Sequence, residues 1–138
     1  MRFKLLLLAS IIATPGCDYL SDTVTHHYKS LADARADDLF ARGWLPDVLP
    51  ASARDINTSD NLDLNISTGE FSFAPTDGPK MYRLLKPGAP VRSRFANWPD
   101  TVADYNRRGF NAWSYQEERF TWAFFCNTKK GKCDYFLW

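Results

Sequence analysis

The chain has 138 residues, of which 17 are basic and 16 are acidic, so its formal net charge is only +1. This length is enough for one domain and too short for two. The near-neutral charge, together with the lack of any polybasic segment, argues against nucleic acid as a partner.

The N-terminus has the order of features of a secretory signal. Two basic residues within the first four are followed by a largely apolar run over residues 5–13 and by small or turn-forming residues at positions 14–16. As a helix, this nine-residue run would reach only about 13 Å, against roughly 30 Å of bilayer hydrocarbon. The pattern therefore predicts a signal peptide over residues 1–16 and not a transmembrane anchor.

The sequence Thr14-Pro15-Gly16-Cys17 resembles the lipobox of bacterial lipoproteins. Gly16 fits that pattern, whereas Thr14 and Pro15 depart from it. The resemblance implies that Cys17 becomes the lipid-carrying first residue of the exported protein. The alternative is ordinary signal peptidase cleavage, which would leave Cys17 as a free thiol.

The residues after Cys17 bear on where the protein is held. Asp18 resembles the residue that retains lipoproteins in the inner membrane of enteric bacteria, with the outer membrane as the alternative. Loss of Arg2 and Lys4 with the signal would lower the basic residues from 17 to 15, one fewer than the 16 acidic residues. We therefore expect a near-neutral domain over residues 26–138, joined by a short tether of residues 17–25 to the periplasmic side of a membrane.

The first predicted element of this domain is an amphipathic helix that begins near Asp22. Gly43 suits the C-terminal end of that helix, and Pro46 prevents its continuation. The apolar stripe that indicates the helix consists of Tyr28, Ala32, Ala36, Leu39 and Phe40.

Residues 44–56, with prolines at positions 46 and 50, are expected to run in an irregular or extended path over the core. A set of short motifs in and beyond this segment resembles small bacterial envelope proteins and lipoproteins. The resemblance covers residues 43–73, implies a compact bacterial domain and assigns no catalytic residue. Its motifs are Gly43-Trp44-Leu45-Pro46, Leu49-Pro50, Ser52-Ala53, Asp55-Ile56, Asp63, Asn65 and Phe71-Ser72-Phe73.

The next residues alternate in polarity, which predicts strands. Residues 61–66 place Leu62, Leu64 and Ile66 on one face of a strand, followed by a turn at 67–70, a returning strand at 71–73 and a third strand at 81–85. The opposite face is a row of three polar residues that can bind a polar ligand or a hard cation, or simply face solvent. That row consists of Asn61, Asp63 and Asn65.

A short second helix is predicted over residues 100–108, after Trp98-Pro99 and before Gly109. Three aromatic-rich strands are expected at about residues 110–115, 120–126 and 133–138. The predicted fold is therefore α+β, with the N-terminal amphipathic helix and the short second helix packed on a largely antiparallel sheet that ends in a disulfide hairpin.

The hairpin prediction rests on Cys126 and Cys133. If Cys17 is acylated, these two remain as a natural pair in an oxidising compartment. Pairing them across a loop of residues 127–132 places Phe124 opposite Tyr135 on a wholly apolar face, which must belong to the core. A metal or redox pair is the alternative, although six intervening residues do not form a Cys-x-x-Cys motif.

The other face of this hairpin carries Phe125, Phe136 and Trp138, and a second apolar face needs a cover. Residues 44–56 can supply that cover, or a macromolecular partner can. Beside this face, three lysines near the hairpin tip can form a soluble turn or contact an acidic partner. They are Lys129, Lys130 and Lys132.

No coherent catalytic set emerges from the sequence. The two histidines, His26 and His27, would point about 100° apart on a helix and could not easily bind one metal ion. We predict neither a metal site nor a cofactor. The carboxylates of Asp55, Asp60, Asp63 and Glu70 cluster around the predicted first hairpin and are candidates for acid–base chemistry on a glycan.

The expected function is therefore that of a non-enzymatic, lipid-anchored periplasmic domain that binds a protein or an envelope component. One version is an immunity or inhibitor lipoprotein that guards against a wall-degrading enzyme. The alternative is a small carboxylate-dependent hydrolase acting on cell-wall glycan. Two carboxylates about 5–10 Å apart in a cleft would favour the enzyme, and an aromatic-centred patch would favour binding.

Overall fold

The structure is a computed structural model that describes residues 22–138. The predicted signal peptide, Cys17 and Asp18 lie outside the described residues. Among the helices of residues 22–138, none has both the length and the apolar character needed to cross a membrane.

A single antiparallel sheet of seven strands dominates the fold, in the order β1-β2-β3-β7-β6-β5-β4. Its strands are β1 (Thr23–Ser30), β2 (Arg54–Asn61), β3 (Ile66–Ser72), β4 (Lys86–Pro87), β5 (Asn111–Glu117), β6 (Phe120–Asn127) and β7 (Lys132–Leu137). The helices are short: α1 (Leu31–Ala36), α2 (Gly78–Tyr82) after a 3₁₀ turn at Pro75–Asp77, and α3 (Trp98–Arg107). The predicted α+β fold, built on a long N-terminal helix, is therefore wrong.

The long N-terminal helix is replaced by a strand and one short helix. β1 pairs with β2 from Thr23, opposite Asn61, to Ser30, opposite Arg54. Its threonines, valine and tyrosine favour extended backbone. Apolar residues four positions apart in the sequence lie on the same face of a strand as well as on the same face of a helix, so their spacing does not distinguish the two. The helix begins only after Ser30, whose hydroxyl accepts the Asp33 N–H while the Asp33 carboxylate accepts the Ser30 N–H.

The predicted strand over residues 61–66 is also wrong, because residues 62–65 form the turn between β2 and β3. The Asn61 side-chain oxygen accepts the N–H of Leu64 at 2.8 Å, and Asn65 adopts a left-handed conformation (φ 52°) that asparagine tolerates. Leu62 and Leu64 are 54% and 51% exposed. Asn61, Asp63 and Asn65 thus do not form a row on one strand face, and the turn expected at residues 67–70 lies inside β3.

In the middle of the chain, one predicted element is wrong and one is confirmed. The strand expected at residues 81–85 is instead the end of α2 and the turn after it, which still buries Met81 and Leu85. The second helix is confirmed as α3, with Pro99 in its first turn and Gly109 just beyond it at φ 82°.

The C-terminal hairpin has the predicted register. Phe124 pairs with Tyr135, Phe125 with Asp134, and Cys126 with Cys133, which form the predicted disulfide. The disulfide face is fully buried, as an apolar strand face in a small domain requires. It belongs to the main core, which α1, residues 37–53 and α2 cover.

A smaller core lies on the opposite face of the sheet, under α3. Trp98 makes edge-on contacts with Phe125, Phe136 and Trp138, and the Tyr105 ring stacks on Phe125 at 4.2 Å between ring centroids. The cover over the outer face of the hairpin is therefore α3, and the expectation that residues 44–56 supply it is wrong. Because α3 packs over β5, β6 and β7, no helix among the described residues covers the same face of β1, β2 and β3.

Candidate functional site

The uncovered half of the sheet bears polar side chains that the strand register aligns in two rows. In one row, His27 lies opposite Asn57 and Asn57 lies opposite Glu70. In the other, Thr25 lies opposite Ser59 and Ser59 lies opposite Thr68. We term this surface the open polar face; it consists of Thr25, His27, Asn57, Ser59, Thr68 and Glu70.

Hydrogen bonds join the first row across four strands. His27 Nδ1 lies 2.6 Å from Asn57 Oδ1, and Asn57 Nδ2 donates to Glu70 Oε1 at 3.2 Å. Lys132 of β7 completes the row with its Nζ 3.0 Å from Glu70 Oε2. The Lys132 ammonium and the Asn57 amide hold the pKa of Glu70 below its usual value, so the carboxylate stays charged. A neutral His27 that donates from Nδ1 keeps Nε2 as an acceptor.

The second row presents hydroxyl groups at the floor of a shallow depression. This depression has a volume of about 490 Å³ and includes Thr25, Ser59 and Thr68 in its lining. The row ends at Phe136, which lies opposite Thr68 on β7. Phe95 packs edge-on against Phe136, so an aromatic rim marks the boundary between the open polar face and the part covered by α3. The arrangement offers short, rigid donors and acceptors beside one apolar edge.

The three aromatics predicted as a partner surface differ in their environments. Phe125 is completely buried beneath α3 and has no surface to offer a partner. Phe136 and Trp138 are half-buried and pack against Trp98 and Phe95. Only Phe136 lies at the margin of the open polar face.

The predicted lysine cluster is divided. Lys129 and Lys130 are exposed at the tip of the β6–β7 hairpin, whereas Lys132 lies in β7 and is paired with Glu70. The tip is fixed from two sides, since the Tyr82 hydroxyl lies 2.8 Å from the Thr128 hydroxyl and the Lys130 N–H donates to the Asn127 side chain.

The four candidate carboxylates have separate environments. Glu70 is paired with Lys132, and Asp55 is exposed at the start of β2. Asp63 lies in the β2–β3 turn, where a hydrogen bond with the Asp22 carboxyl raises its pKa. Residues 66–70 of β3 alone span about 13 Å, which separates the turn from Glu70. Within residues 22–138, no three His, Cys, Asp or Glu side chains are grouped as a metal ion would require.

The fourth carboxylate, Asp60, is buried on the main-core face, only 2% exposed. It accepts hydrogen bonds from the Ser67 hydroxyl and from the Thr58 hydroxyl. Ser67 also lies 3.2 Å from the hydroxyl of Tyr135, so a polar cluster sits within the aromatic core. These partners satisfy a carboxylate that would otherwise be costly to bury.

Sequence reasoning missed most of the open polar face because it placed His27 on a helix. One signal was present: residues 57–61 read Asn-Thr-Ser-Asp-Asn, and they are polar at both odd and even positions. A strand with this composition has a polar outer face and a polar patch on its inner face, and β2 has both.

Two partly or fully buried tyrosines make stability sensitive to alkali. Burial and the Asp37 carboxylate raise the pKa of Tyr28 from 10.0 to about 12, and burial raises the pKa of Tyr135 above its usual value. A raised folded-state pKa gives stability that is complete below pH 10 and is lost as pH rises towards 12. We expect a loss of about 2 kcal/mol from Tyr28 alone over this range, measured by urea unfolding at successive pH values. Tyr28→Phe should show a shallower decline, and identical pH profiles for the two proteins would refute this assignment.

Comparison with known protein families gives a match over the N-terminal part of the described chain. The family model of the YbbD head domain matches residues 22–72, which comprise β1, α1, β2, β3 and the segment between α1 and β2. No curated protein and no solved structure matches the chain significantly. The match covers the strands that carry the open polar face, and it supports an envelope-associated bacterial protein.

Proposed function

We propose that this chain is a lipid-anchored periplasmic protein that binds a protein or envelope component through its open polar face. The observation that carries the proposal is the sheet face left without cover over β1, β2 and β3, where His27, Asn57 and Glu70 are held in one hydrogen-bonded row. Side chains that are already fixed lose little conformational entropy when a partner docks, which favours binding.

The chemistry of the face supports binding over catalysis. Its second row consists of hydroxyl groups, its single carboxylate is ion-paired with Lys132, and the Nδ1 atom of His27 is bonded to Asn57. A glycan hydrolase needs two carboxylates facing one cleft. Asp63 lies in the turn before β3 and Glu70 lies within that strand, so nothing comparable supports the hydrolase alternative among the described residues.

The finer form of the proposal is an inhibitor or immunity lipoprotein. A rigid disulfide hairpin, a compact sheet and a preformed polar surface suit a protein that binds an enzyme without being altered by it. Acylation of Cys17 would hold this surface at the periplasmic side of the membrane, with the inner membrane favoured by Asp18.

The proposal is tested by substitution at the centre of the face. Thr68→Arg adds a long charged side chain to the hydroxyl row, and Thr76→Arg makes the same change at an exposed position in the 3₁₀ turn before α2. We expect affinity capture from detergent-solubilised membranes to recover the same partner with the wild type and with Thr76→Arg. Thr68→Arg should reduce that recovery at least tenfold, as estimated from the loss of a central contact.

Two further measurements complete the design. Circular dichroism spectra of both arginine variants should match that of the wild type, which excludes unfolding as the cause. Cys17→Ser should move the protein from the membrane fraction to the soluble periplasmic fraction. Undiminished capture by Thr68→Arg would remove the binding face from the proposal, and an unmodified thiol at Cys17 by intact mass would remove the anchor.

A further inference from the structure

One end of the sheet gathers the first described residue and an exposed turn. The carbonyl of Asp22 accepts the N–H of Leu62 at 3.0 Å, so the chain enters the domain beside the β2–β3 turn. The antiparallel register brings Trp138 to this same end, because Leu137 pairs with Ser67 near the start of β3. The tip of the β6–β7 hairpin, which carries Lys129 and Lys130 and which we term the lysine tip, lies at the opposite end of the same strands.

Exposed apolar side chains concentrate at the end where the chain enters. Within residues 22–138, five large hydrophobic side chains are exposed, and three of them lie at this end. Leu62 and Leu64 are in the turn itself, and Val24 lies opposite Asp60 near the end of β2. We term Leu62 and Leu64 the apolar apex. Solvent-facing turns are usually built from polar residues and glycine. Two exposed leucines on either side of one residue therefore indicate a surface that contacts something other than water.

The distance from the predicted anchor places this apex near the bilayer. Asp22 is five positions after Cys17 along the chain, and five fully extended residue steps span at most about 18 Å. Because Asp22 is hydrogen-bonded to Leu62, an acylated Cys17 would keep the apex within this distance of the membrane. The opposite end of the sheet would point away from it.

Two acidic side chains also lie at the apex. Asp63 lies between the two leucines, and its carboxyl is hydrogen-bonded to that of Asp22. This contact raises the pKa of Asp63, since two neighbouring carboxylates cannot both ionise freely. The hydrogen bond holds the Asp63 side chain beside Asp22, at the point where the chain enters the domain.

We infer that the apolar apex inserts into the interfacial layer of the bilayer beside the acyl anchor, so that this end of the sheet faces the membrane. The inference rests on the proposed anchoring through Cys17. In this orientation the strands run away from the membrane, the lysine tip is the part farthest from it, and the open polar face looks sideways along the bilayer. A partner would then be met in the plane next to the membrane.

The test measures the reaction of an apex thiol with a membrane-impermeant maleimide. Leu64→Cys is compared in two forms: the acylated full chain in vesicles of phosphatidylglycerol and phosphatidylethanolamine, and the soluble Cys17→Ser form. Both native cysteines of the hairpin are in the disulfide and do not react. Lys129→Cys at the lysine tip is the matched control.

We expect Leu64→Cys to react about tenfold more slowly in the anchored form than in the soluble form, and Lys129→Cys to react equally in both. Adding Leu62→Ser to the anchored Leu64→Cys protein should restore fast reaction, since a polar apex would no longer insert. If that variant stays slow, or if Leu64→Cys reacts equally in both forms, the apex does not insert, while the anchor stands. If the full chain does not fractionate with membranes, the anchor fails and the apex inference falls with it.

Discussion

Replacing Trp98 with alanine should lower the free energy of unfolding by about 3–5 kcal/mol, the usual cost of removing a buried tryptophan. Trp98 is only 4% exposed, and its ring contacts Phe125, Phe136 and Trp138. Its indole N–H donates to the carbonyl of Pro90 at 2.8 Å, which also fixes the loop before α3. The substitution therefore removes both the centre of the smaller core and the attachment of α3.

Urea unfolding followed by circular dichroism measures this loss. Val91→Ala is a suitable control, because Val91 lies in the same loop and is 94% exposed. It should change the free energy of unfolding by less than about 0.5 kcal/mol. A loss below about 1 kcal/mol for Trp98→Ala would mean that α3 is not the cover of this face.

The second large effect is expected from the disulfide. The Cys126→Ala/Cys133→Ala double variant should lose about 2.5 kcal/mol, because the bond closes a short loop and restricts the unfolded chain. Both cysteines are completely buried in the main core, so replacement by alanine avoids placing a polar group there.

Urea unfolding of the double variant, the oxidised wild type and the reduced wild type separates the contribution of the disulfide bond from that of the buried sulfur atoms. The reduced wild type keeps both sulfur atoms and loses only the bond. Equal stability of the oxidised and reduced wild type would contradict a stabilising role for the bond.

The C-terminal half of the fold was predictable because its signals are local. Cys126 and Cys133 fix the register of a hairpin whose strands follow each other directly, and every predicted pair occurs. The second helix is delimited by Pro99 in its first turn and by Gly109 after its end. In both places the residues that determine the structure are neighbours in the sequence.

The N-terminal half was not predictable in the same way. The spacing of apolar residues around Tyr28 fits both a helix and a strand. The strand forms because this segment pairs with β2, where Ser30 lies opposite Arg54, 24 residues further along the chain. The alternation of residues 61–66 indicated a strand, but the Asn61 side chain and the left-handed Asn65 close a turn there. Local patterns do not show which strand a segment will meet.

The candidate site depends even more on distant pairing. His27, Asn57 and Glu70 come from three strands, and Lys132 reaches the row only because β7 lies beside β3. No sequence pattern places those residues together. Their polar character was visible in the sequence, and their common surface required the order of the strands.

The pairing of β3 with β7 also has a consequence for how the chain folds. It is the only strand pairing between β1–β3 and β4–β7 in the described part of the chain, and it joins residues as far apart as Ser67 and Leu137. Contacts of such long sequence separation form slowly, because a large loop must close before they stabilise anything. We therefore expect the β3–β7 pairing to form late in folding, after β1–β3 and β4–β7 have each begun to assemble.

The pairing of β3 with β7 also covers a strand edge at the end of the region that matches the family model. The region that matches the YbbD head domain ends with β3, whose outer edge would be left with unpaired backbone groups if the chain stopped there. In this protein β7 pairs with that edge. The C-terminal half therefore acts, through β7, as a cap on the edge of β3.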